Sequence, residues 1–210
     1  MKTMKMTGMK RWMVAGAVLL FSMLSSGGAR AADAPRSLGG FVLGEPISRY
    51  GDRLEMDTVI RVRDVGCLME VDVIPPAGFE NGTINYGVCA ARDRIVRIKL
   101  KYADESRGFY EELLSRYKAR FGPPDEWKGD PFHVVIAWKW YFKDRNNDRI
   151  SLILQHNTQD EDEKIGNSVK LTHSTAMAAE IRHYRERRTR EKPPVEKERS
   201  VPDWDRLLPR

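Results

Sequence analysis

The chain is short of the residues that advertise catalysis. Of its 210 residues only two are cysteine and four are histidine. His133, His156, His173 and His183 are scattered, and no HxxxH pair is present to seat a metal. There is no CxxC, which argues against dithiol redox chemistry. No serine, cysteine or lysine stands in a nucleophile setting such as G-x-S-x-G. The acidic pair Glu111-Glu112 falls on the outside of an expected helix and needs no catalytic explanation. No cofactor motif is present, so no catalytic residue, metal or cofactor is assigned.

Long apolar runs are also lacking. The one candidate, Trp12 to Leu24, falls short of the roughly 20 residues a membrane span needs. Lys2, Lys5, Lys10 and Arg11 precede it, and Ala29-Arg30-Ala31 follows it. A basic start, a short apolar core and an Ala-x-Ala site are the parts of a secretory signal peptide. Cleavage is expected after Ala31, with delivery to the periplasm and only a transient contact with the membrane. No cysteine follows the apolar run to carry a lipid.

That reading removes most of the basic excess. The formal net charge is +6, from 36 basic and 30 acidic residues. Residues 1–31 contain five of the basic residues and none of the acidic ones, which leaves 31 against 30, a net of +1. From Arg182 onward ten basic residues face six acidic ones, so 32–181 carries 21 against 24, a net of −3. A basic groove long enough to track a nucleic acid backbone is not expected on such a body. The expected division is a signal peptide at 1–31, one domain at 32–188 and a charged, disordered tail at 189–210.

What the chain does have is alternation. Ile136, Trp138, Trp140 and Phe142 alternate with more polar neighbours, as do Ile150, Leu152 and Leu154. Folding about Asn146 sets Phe142 opposite Ile150, Trp140 opposite Leu152 and Trp138 opposite Leu154, so one face of a long hairpin is apolar. Upstream, Leu54 to Val62, Cys67 to Ile74, Ile84 to Val88 and Val96 to Tyr102 alternate likewise. The last shows Arg97, Lys99 and Lys101 on its other face, as expected of a sheet with one wet side. Pairings of Tyr86 with Ile98 and of Val88 with Val96 are expected from a fold about Arg92.

Between these strand runs the period changes. Asp104 or Ser106 can cap a helix carrying Phe109, Tyr110, Leu113, Leu114, Tyr117 and Phe121 on one stripe. Gly122 and Pro123-Pro124 end it. Val169 and Leu171 mark a last strand, and Thr175 to about Arg187 a second helix with Met177, Ile181 and Tyr184 on one side. The fold class is therefore α+β: an antiparallel β-sheet meander of about seven strands, packed by one main helix, with a second C-terminal helix.

The helix running into Phe121-Gly122-Pro123-Pro124-Asp125, then Trp127, then Trp138-Lys139-Trp140-Tyr141-Phe142, resembles a pattern in an uncharacterised family of small exported proteins of Gram-negative bacteria. More faintly it is similar to envelope-assembly lipoproteins of the BamE type, from which the missing lipid-bearing cysteine departs. The resemblance covers about 30 residues. It implies a binding or assembly role and transfers no functional residue.

Cys67 and Cys89 are disulfide candidates in an oxidising compartment. A fold about Gly78 sets them opposite each other. Matching apolar faces instead pairs Val71 with Tyr86 and Met69 with Val88, which separates the thiols, and a bulge at Gly87 would reconcile the two. Such a crosslink is worth about 3 kcal/mol. Trp138, Trp140 and Phe142, with Trp127 nearby, read as core rather than as a stacking platform. Asp144-x-Asn146-x-Asp148 opens like a calcium loop, but Arg149 and Gln155 stand where Gly and Glu belong, so a polar turn accounts for it. His133 and His156 share one end of the hairpin, where a surface metal site is conceivable. Trp204, Leu207 and Leu208 close a charged tail that normally lacks such residues, and are candidate contacts for an envelope protein partner. The expected function is a non-enzymatic binding or envelope-assembly accessory domain. The alternatives are an envelope enzyme or enzyme inhibitor with a site that no motif marks, or a small-ligand carrier.

Overall fold

A computed structural model describes residues 33–63, 65–131, 134–157 and 166–191. Strands β3 (Leu54–Arg61), β4 (Leu68–Val73), β5 (Phe79–Gly87) and β6 (Ile95–Tyr102) lead to helix α1 (Arg107–Phe121). Strands β7 (Glu126–Trp127), β8 (Val135–Lys143), β9 (Arg149–Asn157) and β10 (Gly166–His173) lead to helix α2 (Ser174–Glu191). Ahead of them a two-residue pair, β1 (Ser37–Leu38) with β2 (Phe41–Val42), precedes a 3-10 helix at Ile47–Arg53. The large sheet has eight antiparallel strands in the order β3-β4-β5-β6-β10-β9-β8-β7. The α+β architecture is as expected, with β7 as an extra edge strand where Trp127 pairs Trp138.

The β8–β9 hairpin has the register that its alternation dictates: Phe142 faces Ile150, Trp140 faces Leu152 and Trp138 faces Leu154. Trp140 is 1% exposed and its indole Nε1 donates to the Gly122 carbonyl at 3.0 Å. One side chain thus fills the core and satisfies the C-terminal end of α1. Trp138 and Phe142 are half-buried against the same core, with Trp127 edge-on to Trp138 at 4.7 Å. The Trp stripe is packing.

Ser106, not Asp104, caps α1: its hydroxyl accepts the Phe109 N–H at 3.2 Å, while Asp104 accepts the Ser106 N–H. At the other end Gly122 has φ 82°, and its N–H closes on the Lys118 carbonyl. The apolar stripe of α1 lies on the sheet face formed by Val71, Ile84, Ile98, Leu171, Leu154 and Trp140.

Two expected registers are corrected. In β5–β6, Ile98 faces Ile84 and Tyr86 faces Ile95, with an irregularity between Asn85 and Tyr86. The Ile98 partner moves by two residues and Ile98 still faces the core, but the irregularity puts Ile95 there in place of Val96, which turns to the opposite face. In β4–β5, Val71 faces Ile84 and Met69 faces Tyr86. Neither expected register holds: apolar residues still meet apolar residues, but two positions along from the expected Val71–Tyr86 and Met69–Val88 pairs, and the cysteines are not direct partners in the ladder. Cys67 lies just before β4, its carbonyl accepting the Val88 N–H at 3.0 Å, and beyond Gly87 the chain has left the strand. Cys89 then turns back to close the Cys67–Cys89 disulfide across a Cα–Cα distance of 5.4 Å.

Helix α2 crosses one end of the opposite sheet face, where Met177 packs on Leu68 and Val96. Its Glu180 is fully buried and accepts backbone N–H bonds from Cys89, Ala90 and Ala91. A buried carboxylate requires such donors. Gly87 makes this possible: a Cβ there would come within 2.4 Å of Glu180 Oε1. That close approach, rather than a bulge, is what Gly87 serves.

Candidate functional site

The sheet presents two faces and only one is closed. Beyond the end covered by α2, the second face is an open, polar concavity of about 290 Å³ that crosses five strands. The alternation that drives apolar residues toward α1 sends their neighbours here. One row across the sheet runs Thr83, Lys99, Lys170, Ile153, Lys139, each the Cα partner of the next. The adjacent row places Asn85 beside Arg97, with Glu70 beyond Asn85.

Lys99 and Lys170 are therefore directly opposed lysines on neighbouring strands, an arrangement that costs stability. Arg97 sits diagonally to Lys170. Among the described residues, none of these three side chains forms an ion pair or a hydrogen bond, and Arg97 Nε is buried without a partner. Glu70 is the one carboxylate of the lining, and one of its oxygens is held by the Asn85 amide at 2.8 Å. Burial, with the charges of Arg97, Lys99 and Lys139 added, holds the Lys170 ammonium below its ordinary pKa. Burial does the same to Arg97, against the opposing influence of Glu70. Lys139, at the margin, lies 4.4 Å over the Tyr141 ring. Three cations gathered around a single carboxylate, with Arg97 and Lys170 partly buried and Lys99 exposed, are what an anion would relieve.

The other marked residues fall into plainer roles. Asp144, Asn146 and Asp148 form a tight turn: the Asp144 carboxylate accepts the Asn146 and Asp148 N–H groups, each at 2.9 Å, and pairs with Arg36. Burial alone would raise its pKa, but the two N–H bonds and Arg36 hold it below the usual carboxylate range. His156 is a core residue and not a surface ligand, which corrects the idea of a metal site at that end of the hairpin. It is 1% exposed, stacks on Tyr110 at 5.0 Å and bonds Asn167 through Nδ1 at 2.7 Å. His173 caps the start of α2, its Nδ1 accepting the Ala176 N–H, with Nε2 3.6 Å from Asp148. Cys67 and Cys89 are joined, with a nitrogen of His183 within 4.8 Å of both sulfurs. His133, the acidic run at 159–164, Trp204, Leu207, Leu208 and residues 1–31 lie outside the described residues.

In the sequence Arg97, Lys99 and Lys101 share one face of a strand, which by itself reads as an ordinary wet surface. The decisive partner, Lys170, lies 71 residues after Lys99 on β10, which inserts beside β6. Lys101 goes elsewhere, to Glu80 and Glu105. Comparisons with protein-family models, curated proteins and solved structures give no match. Among the described residues no helix is long and apolar enough to cross a membrane.

Proposed function

We propose that this chain is an exported, non-enzymatic binding domain that takes an anionic ligand on the open face of its sheet. The observation that carries the reading is the opposed Lys99–Lys170 pair with Arg97 alongside, none of them in an ion pair among the described residues and with Glu70 the single carboxylate of the lining. Like charges set across neighbouring strands oppose folding, so their gathering is best accounted for by a ligand. The lining offers cations, amides and hydroxyls, but its single carboxylate is already engaged by Asn85, which favours binding over acid–base chemistry. The signal-peptide pattern at 1–31 supports export to the periplasm, and the Cys67–Cys89 disulfide is compatible with that oxidising compartment.

The test is thermal unfolding of the protein with citrate, sulfate and phosphate, each against chloride at matched ionic strength. A multivalent anion raises Tm in the wild type, and the double variant Lys99→Gln, Lys170→Gln loses the response. If no anion acts beyond matched salt, or the double variant responds as fully as the wild type, the groove is not an anion site.

A further inference from the structure

The groove is specific enough to name a ligand chemistry, an inference that rests on the anion-binding reading above. We infer that it takes a phosphomonoester carried on a small hydroxylated molecule. Three features of the lining lead there.

The first is charge. Arg97, Lys99 and Lys170 against Glu70 leave a net of +2 in the lining, which matches the charge of about −1.5 to −2 on a phosphomonoester at neutral pH. The second is directionality. Arg97 has its Nε buried and unpartnered beside the cavity. A guanidinium presents a planar fork that fits two oxygens of one phosphate, while lysines act as mobile point charges around it. The third is the rest of the wall. Thr83, Ser168 and Gln155 supply neutral donors and acceptors, and Ile153 gives a small apolar patch. Hydroxyl and amide groups around a charged anchor suit a ligand with its own hydroxyls. The size agrees: about 290 Å³ lies at the small end of ligand sites, which run from about 300 Å³ upward.

The phosphomonoester could be free or displayed as a lipid headgroup, and calorimetric titration of the full chain separates the two. The probes are glycerol 1-phosphate, glycerol, inorganic phosphate, citrate, and phosphatidylcholine vesicles with and without lysophosphatidic acid. Glycerol 1-phosphate should saturate one site, glycerol should not bind, and inorganic phosphate should bind more weakly. Saturation by lysophosphatidic acid vesicles alone supports the same chemistry from the membrane source. Arg97→Lys keeps the charge but removes the fork, and weakens binding about tenfold or more while the circular dichroism spectrum is unchanged. If citrate binds and no phosphomonoester does, this inference falls while the anion-binding reading stands. The same holds if inorganic phosphate binds as tightly as glycerol 1-phosphate, or if Arg97→Lys binds as the wild type does. If no anion binds, both fall.

Discussion

The two faces of the sheet obey opposite rules, although the same strands build them. Under α1 the packing is apolar and dense: Trp140 fills the space beside Leu152 and bonds Gly122, and Tyr117 packs on Trp140 at 5.9 Å. On the open face, Lys99 meets Lys170, and Arg97 meets Thr172 across the strand pair. One face is built to bury apolar area, although Tyr110 OH and His156 Nε2 stay unpartnered within it. The other gives up stability locally, which is a common mark of a surface shaped for something else.

The sharpest way to test the contrast is to truncate one residue on each face. Trp140→Ala removes a buried aromatic and the donor to the end of α1, and should cost about 4 kcal/mol by urea unfolding. Lys170→Ala, in the neighbouring row on the other face, should cost nothing. A loss at Lys170 of the size found at Trp140 would erase the distinction between the faces.

The end of the open face that α2 covers should behave like the closed side. Reducing the Cys67–Cys89 bridge, or replacing both cysteines with serine, should cost about 3 kcal/mol. Glu180→Leu deletes the acceptor for three backbone N–H groups and should cost about 2 kcal/mol by the same assay. The two changes act on one loop and should not be additive. Full additivity in the combined variant would mean that the helix and the crosslink hold it independently.

The closed face was legible because its information is local. Period-two alternation around Asn146 determines the β8–β9 register, and Ser106 and Gly122 bound α1 by capping chemistry that lies within a few residues of each end. The open site was not, for two physical reasons. Its parts come from β4, β5, β6, β9 and β10, and only the insertion of β10 between β6 and β9 brings Lys99 to Lys170. Net charge also averages over the cluster: a body of net −3 can still place three of its 21 basic residues on one patch. Glu180 had a readable signal that was passed over. It lies three residues after Met177 and four before Tyr184, so it interrupts the apolar side of α2, where a carboxylate must find donors.

The smallest effects give the closest view of the open face. Lys99→Gln should raise stability without ligand by about 0.5 kcal/mol, since it removes one member of an opposed like-charge pair. The Lys170 pKa lies below its ordinary value in the folded protein, chiefly through burial. Between the folded pKa and the ordinary value of 10.5, the unfolded chain binds more protons at this site. Stability contributed by Lys170 is therefore lost as pH falls through the folded pKa, and is recovered as pH rises toward 10.5. Comparing wild type with Lys170→Gln isolates that increment from every other titrating group. The difference in unfolding free energy should shift in favour of the wild type as pH rises through this window. Equal pH slopes in the two proteins would mean that the Lys170 ammonium is as well solvated as in the unfolded chain, and the groove would then be an ordinary wet surface.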